Sequence, residues 1–191
     1  VQKGTCILFS DALRLDAGMR LVSALQRQGL QTQVEHGLAP LPPVTPTAKP
    51  GLSPIAQVLT GKSASALTPV ALDGTGLTPE KFRKLLANAG YQVLAESEMG
   101  DPTGLAWTEA GQIDTYGHQH GWKLARHLQG ELDALKNRII SLLEAGWEQV
   151  IVITDHGWLL LPGGLPKANL PEHLATLRKG RCARLKPGSA T

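Results

Sequence analysis

Six side chains spread along the 191-residue chain are of types that could do chemistry together: Asp11, Thr45, Asp114, His118, Asp155 and His156. Carboxylate oxygens and imidazole nitrogens are ligands for zinc, manganese and similar divalent ions. Asp155 and His156 are adjacent in the run QVIVITDHG at positions 149–157. Asp114 and His118 are four apart, a spacing that puts both on one face of a helical turn and lets them bite one ion. Thr45 stands in PPVTPTAKP. Such a proline-stiffened segment can present one hydroxyl at a helix start, where backbone N–H groups favour an anionic oxygen. Each piece alone also has a plain reading. Asp155 and His156 can cap a turn, Asp11 can cap the following helix, and Asp114 with His118 can belong to a polar loop.

The elements that must position these residues alternate between strand and helix. The apolar runs at 5–10 and 150–153 have no polar break, the pattern of strands buried on both faces of a parallel sheet. The 150–153 run is expected to be the central strand. Ligands bind just past the carboxyl ends of such strands, where Asp11 and Asp155 stand. Gly157 is expected to turn the chain there. Helices are predicted near 17–28, 78–89 and 122–145, the last with an apolar stripe through Leu124, Leu128, Leu132, Leu135, Ile139 and Leu142. Further strands are predicted at 32–35, 91–96, 105–107 and 182–185, and short helices at 55–59 and near 171–177. Residues 61–76 read as a surface loop, and residues 61–98 as an insertion that carries no chemistry. The fold class is therefore α/β: a mostly parallel central sheet with helices on both faces, in a single domain.

Composition narrows the classes. The formal net charge is only +3, with a basic cluster at Arg178, Lys179, Arg181, Arg184 and Lys186 that reads as solvated surface. Aromatic residues make up 4% of the chain, too few for a stacking platform for single-stranded nucleic acid. The two cysteines, Cys6 and Cys182, lie far apart. They suit buried thiols in a reducing compartment, and the expected location is cytoplasmic. No segment has the length and apolarity of a membrane span, and no secretory signal is visible. The chain opens at Val1 almost directly into a strand, which suggests a truncated piece of a longer protein.

In chain order the polar residues read Asp11, Thr45, Asp114-x-x-x-His118, Asp155-His156. That order resembles the ligand order of the alkaline phosphatase superfamily in its phosphodiesterase-like branch. PPVTPTAKP resembles the superfamily's Pro-x-x-Thr nucleophile loop. With FSDALRLD and VITDHG, the chain resembles the PglZ domain of bacterial phage-defence (BREX) systems. The resemblance covers most of the chain outside residues 61–98.

The resemblance implies a two-metal phosphoester hydrolase, a phosphodiesterase for preference. Asp11, Asp155 and His156 would hold one ion, zinc or manganese, with Thr45 as its fourth ligand and the nucleophile. Asp114 and His118 would hold the second ion. Lys49 is a candidate phosphate contact. Thr45 fits the Pro-x-x-Thr spacing, and Thr47 does not. The implied partners are a phosphoester substrate, nucleic acid or nucleotide among the candidates, and other defence-system proteins. One departure stands out. The superfamily's second ion takes a further histidine, and after His156 the chain has only His173, in an LPEHL setting that does not match. The missing ligand is expected beyond Thr191. The 191-residue piece is then expected to hold the Asp155/His156 ion better than the Asp114/His118 one, and to hydrolyse weakly. The alternative is a scaffolding or binding module in a multi-protein defence complex, with the metal structural or absent. The sulfatase Cys-x-Pro-x-Arg loop is absent.

Overall fold

The computed structural model describes residues 1–61, 67–161, 171–179, 182–186 and 188. The chain divides into two compact units, Val1–Leu160 and Leu161–Thr191. The first begins with strand β1 (Thr5–Phe9), every residue of which is buried. Helix α1 (Leu15–Arg27) buries Ala17, Leu21 and Leu25, the four-residue steps of one helix face. Helix α2 (Thr45–Leu52) follows, with Pro46 in its first turn. A 3₁₀ turn (Ala56–Val58) then leads into a two-strand hairpin, β2 (Leu59–Thr60) and β3 (Val70–Ala71). Thr78 caps helix α3 (Pro79–Asn88) by accepting the Lys81 N–H, as its side chain predicts. Strands β4 (Tyr91–Leu94) and β5 (Leu105–Glu109), helices α4 (Ile113–His120) and α5 (Leu124–Glu144), and strand β6 (Gln149–Ile153) complete this unit.

The architecture is α/β. Strands β4, β5, β1 and β6 form a four-stranded sheet in that spatial order, every pairing parallel. The expected alternation along β1 sorts its side chains onto two faces. Cys6 and Leu8 join Leu21 of α1 with Leu135, Ile139 and Leu142 of α5 in one apolar cluster. Ile7 and Phe9 join Phe82 and Leu86 of α3, with Trp107, in another. Helices therefore cover both faces, which is what lets β1 be apolar throughout.

Four expectations are corrected. The 150–153 run is not central: β6 lies at the sheet edge and is half-buried, while β1, paired on both sides, is an inner strand. Residues 32–35 form no strand. They are largely exposed and have no sheet partner, so one partly exposed Val34 cannot supply a buried face. Residues 55–59 make a single 3₁₀ turn rather than a longer helix. In the second unit the helix near 171–177 is one 3₁₀ turn, Glu172–Leu174. It ends because Ala175–Lys179 (β7) pairs antiparallel with Cys182–Leu185 (β8). Part of the 61–76 loop, residues 62–66, lies outside the described residues. Residues 61–98, expected as an insertion, contribute α3 and the sheet strand β4.

Strands β4 and β5 are parallel neighbours joined by residues 95–104 without a helix. Two side chains from the other elements hold that crossover. Arg138 of α5 donates to the Glu98 carbonyl at 2.5 Å, and the Trp147 indole donates to the Met99 carbonyl at 2.7 Å.

Candidate metal centre

The strand register brings the rim residues level. Phe9 pairs with Ile153 on one side and with Glu109 on the other. Asp11 and Asp155 each follow their strand by two residues. Asp114 sits in the first turn of α4, just beyond β5. All three carboxylates therefore stand at the carboxyl ends of parallel strands. The loop after β1 is tied to the loop after β6 by two backbone donors. Ala12 N–H reaches Asp155 Oδ1 at 3.2 Å, and Leu13 N–H reaches Thr154 Oγ1 at 3.0 Å. Ala12 makes this bond from the left-handed region, at φ 62°, a backbone state that a non-glycine residue rarely adopts.

Gly157 does not serve the turn expected of it, since it is not among the residues with positive φ. It is needed for close approach. A Cβ there would stand 2.7 Å from Arg14 Cβ and 2.9 Å from Arg14 Cα.

His156 Nε2 is the hub. It lies 3.1 Å from Thr45 Oγ1, 3.3 Å from Asp11 Oδ1, 3.7 Å from Asp155 Oδ2 and 4.0 Å from Asp114 Oδ1. Thr45 Oγ1 is also 3.2 Å from both Asp11 oxygens. Thr47 faces elsewhere and donates its hydroxyl to the Leu67 carbonyl. The start of α2 is poorer in donors than expected. Pro46 has no N–H, and the Thr47 N–H is spent on the Val44 carbonyl at 2.9 Å.

Three carboxylates around one imidazole repel one another. Burial first, then the charges of Asp155 and Asp114, push the Asp11 carboxyl up from 3.8 to about 7. Asp155 is buried, and its Oδ2 meets no ordinary donor among the described residues. Asp11 lies within hydrogen-bond reach of it, a contact that also raises the Asp11 carboxyl. A cluster whose carboxylates repel one another in this way is one that a divalent cation fits, because the cation cancels the repulsion. Ligand atoms of Asp11, Asp114 and His156 lie within 4.8 Å of one another, close enough to hold one ion. This is the one such group found among the described residues.

His118 is placed differently. It sits on the Asp114 face of α4, with Nε2 3.4 Å from Asp114 Oδ2, but its side chain is 71% exposed. It is not part of the Asp11–Asp114–His156 group. His120 and His127 flank the Tyr116 ring, at 4.3 and 4.2 Å between centroids. Lys49 pairs with Glu109 and lies over the Phe9 ring, 5.2 Å from its centroid. His173 is exposed in the second unit.

Sequence reasoning missed Trp158. Its indole Nε1 donates to Asp114 Oδ1 at 3.1 Å, and its ring meets the His118 ring edge-on at 5.0 Å. Gly117 makes room for it, since a Cβ there would fall 2.4 Å from the indole. The signal was faint: a glycine between Asp114 and His118, and a tryptophan two residues after His156.

No family model matches the chain, and no curated protein or solved structure is significantly similar to it.

Proposed function

We propose that this chain is a metal-dependent phosphoester hydrolase of the alkaline-phosphatase-like kind, with phosphodiesters as its substrates and Thr45 as its nucleophile. One observation carries it. The Thr45 hydroxyl lies within hydrogen-bond distance of both Asp11 oxygens and of His156 Nε2, at the first residue of a helix and beside a group able to hold a cation.

Asp11, Asp114 and His156 would hold a divalent ion, with Asp155 beside them; zinc and manganese both suit this mixed oxygen and nitrogen set. When bound, such an ion supplies positive charge that neutralises the phosphoryl oxygens and lowers the pKa of nearby hydroxyls. The chain does the rest. With His156 Nε2 turned to the ion, Asp11 is the proton acceptor for the Thr45 hydroxyl, since it has a second carboxylate oxygen in reach. The threonine oxygen attacks phosphorus, the P–O bond to the ester oxygen breaks, and the departing oxygen takes a proton from solvent. Water then cleaves the phosphothreonine and returns the hydroxyl. Asp155 accepts the Ala12 N–H and so ties the two rim loops that carry Asp11 and His156.

A second ion at Asp114 and His118, and a place beside other proteins of a phage-defence system, belong to the PglZ resemblance and extend the same proposal. Hydrolysis of bis(4-nitrophenyl) phosphate by the full-length protein should require added zinc or manganese. Thr45→Ala should lower it by at least ~100-fold, and Thr47→Ala should leave it within about threefold. Full metal-dependent activity in Thr45→Ala would remove the nucleophile assignment.

A further inference from the structure

Thr45 borders a second feature. A cavity of about 670 Å³ opens between α2, α3 and the ends of β4 and β5, with Thr45 in its wall. That volume is in the range that takes a small organic ligand. Its floor is aromatic: Phe82 and Trp107, both nearly fully buried, meet edge-to-face at 5.6 Å between centroids. Leu77 and Val93 supply aliphatic wall.

The charges that line it balance. Lys49 and Arg83 are cationic, and Glu96 and Glu109 are anionic. The Lys49 ammonium is already engaged by the Glu109 carboxylate and lies 5.7 Å from the Phe82 ring centroid. A wall of this kind has no net charge to offer a second phosphate. It offers apolar area and ring faces, which favour uncharged, planar groups.

We infer that this cavity is the subsite for one ester substituent of the substrate, and that the substituent is an uncharged ring system, an aryl group or a single nucleoside base. The inference rests on the phosphoester reading for the location of phosphorus beside Thr45. It narrows the substrate to a small organic phosphodiester and sets aside a polyanionic strand, which needs a cationic track.

Calorimetric titration of the full chain in manganese tests it without requiring turnover. The probes are diphenyl phosphate, the phenyl ester of thymidine 5′-phosphate, dimethyl phosphate and a single-stranded oligonucleotide. At least one ring-bearing ester should bind roughly tenfold or more tightly than dimethyl phosphate, as burial of one ring allows. The tighter of the two names the ring class. Leu77→Trp, which fills the cavity, should abolish that preference and leave dimethyl phosphate and manganese binding unchanged. Thr68→Trp, on another side of the same cavity, serves if circular dichroism shows Leu77→Trp to be misfolded. Equal binding of all three small esters overturns the inference. So does a loss in the filled variants that is the same for every ester, or an oligonucleotide that binds more tightly than both ring esters. Hydrolysis of bis(4-nitrophenyl) phosphate by the same preparations is read separately. Selective ring binding with no hydrolysis by the full-length protein would sink the hydrolase and keep the subsite.

Discussion

The indole of Trp158 donates to Asp114 Oδ1 at 3.1 Å while its ring packs where a side chain at position 117 would stand. A group that orients a metal-binding carboxylate is worth roughly 10-fold or more in metal affinity. Trp158→Phe keeps most of the ring and removes the N–H. It should weaken zinc or manganese binding by about 10- to 100-fold, with little change in urea stability. Calorimetric titration of metal into both proteins checks this. Unchanged affinity would reduce Trp158 to packing.

Asp11 should make the metal-free protein lose stability as pH rises. Its carboxyl is held at about 7 in the folded chain, chiefly by burial, against 3.8 as the ordinary value. Between these values the folded state keeps a proton that the unfolded state releases. Stability from this group is therefore fully present below about pH 4, falls through the window up to about 7, and is gone above it, a change on the order of 3 kcal/mol. In EDTA, Asp11→Asn should be more stable than wild type at pH 8, and the gap should close near pH 4. Urea titrations at the two pH values measure it. Parallel curves at both would show that Asp11 is not protonated in the fold.

Gly157→Ala should damage the rim. The added Cβ would meet the Arg14 backbone at 2.9 Å as well as its side chain, so no rotamer change can clear it. Overpacking of this kind costs about 1–3 kcal/mol. The strain falls on the turn that carries Asp155 and His156, so metal affinity should fall together with stability. Calorimetric metal titration and urea unfolding of the variant measure the two losses. Arg14→Ala in the same chain should restore only part of both, because the clash with the backbone of residue 14 stays.

Arg138 is 9% exposed and spends its guanidinium on the crossover between β4 and β5, donating to the Glu98 carbonyl at 2.5 Å and to Met99 Sδ at 3.4 Å. Arg138→Leu leaves that carbonyl without its donor and should cost about 2–4 kcal/mol. Hydrogen exchange should speed up most at residues 95–104 and in β4. Uniform loss of protection across the sheet would mean that the side chain supports the whole unit.

Much of this was legible in the residues. β1 and α5 declare themselves through an unbroken apolar run and a three-to-four stripe, and Thr78, Pro79 and Gly90 punctuate α3 plainly. What could not be read was placement. An apolar run says that a strand is covered, but not how many neighbours it has. The 150–153 run therefore looked central, and β6 is an edge. Residues 32–35 alternate well enough for a strand, yet a strand needs a partner, and none is offered. At the rim, the types and spacing point to Asp11, Thr45, Asp114, Asp155 and His156, and the first four meet around the imidazole of the fifth. His118 shares a helix face with Asp114, as four-residue spacing requires, but spacing says nothing of exposure. Trp158 was invisible because its contact depends on how α4 lies against the loop after β6.

Ala12 has a mutational corollary. At φ 62° the peptide plane between Asp11 and Leu13 is rotated so that its amide addresses Asp155 and not the sheet. Residues branched at Cβ resist that rotation, whereas glycine, asparagine and aspartate accept it. A saturation library at position 12, sorted by retained manganese binding, should therefore return a short alphabet at a site with no ionisable group of its own. Among the neutral members, glycine and asparagine, the geometry of the rim is varied while its charge stays constant.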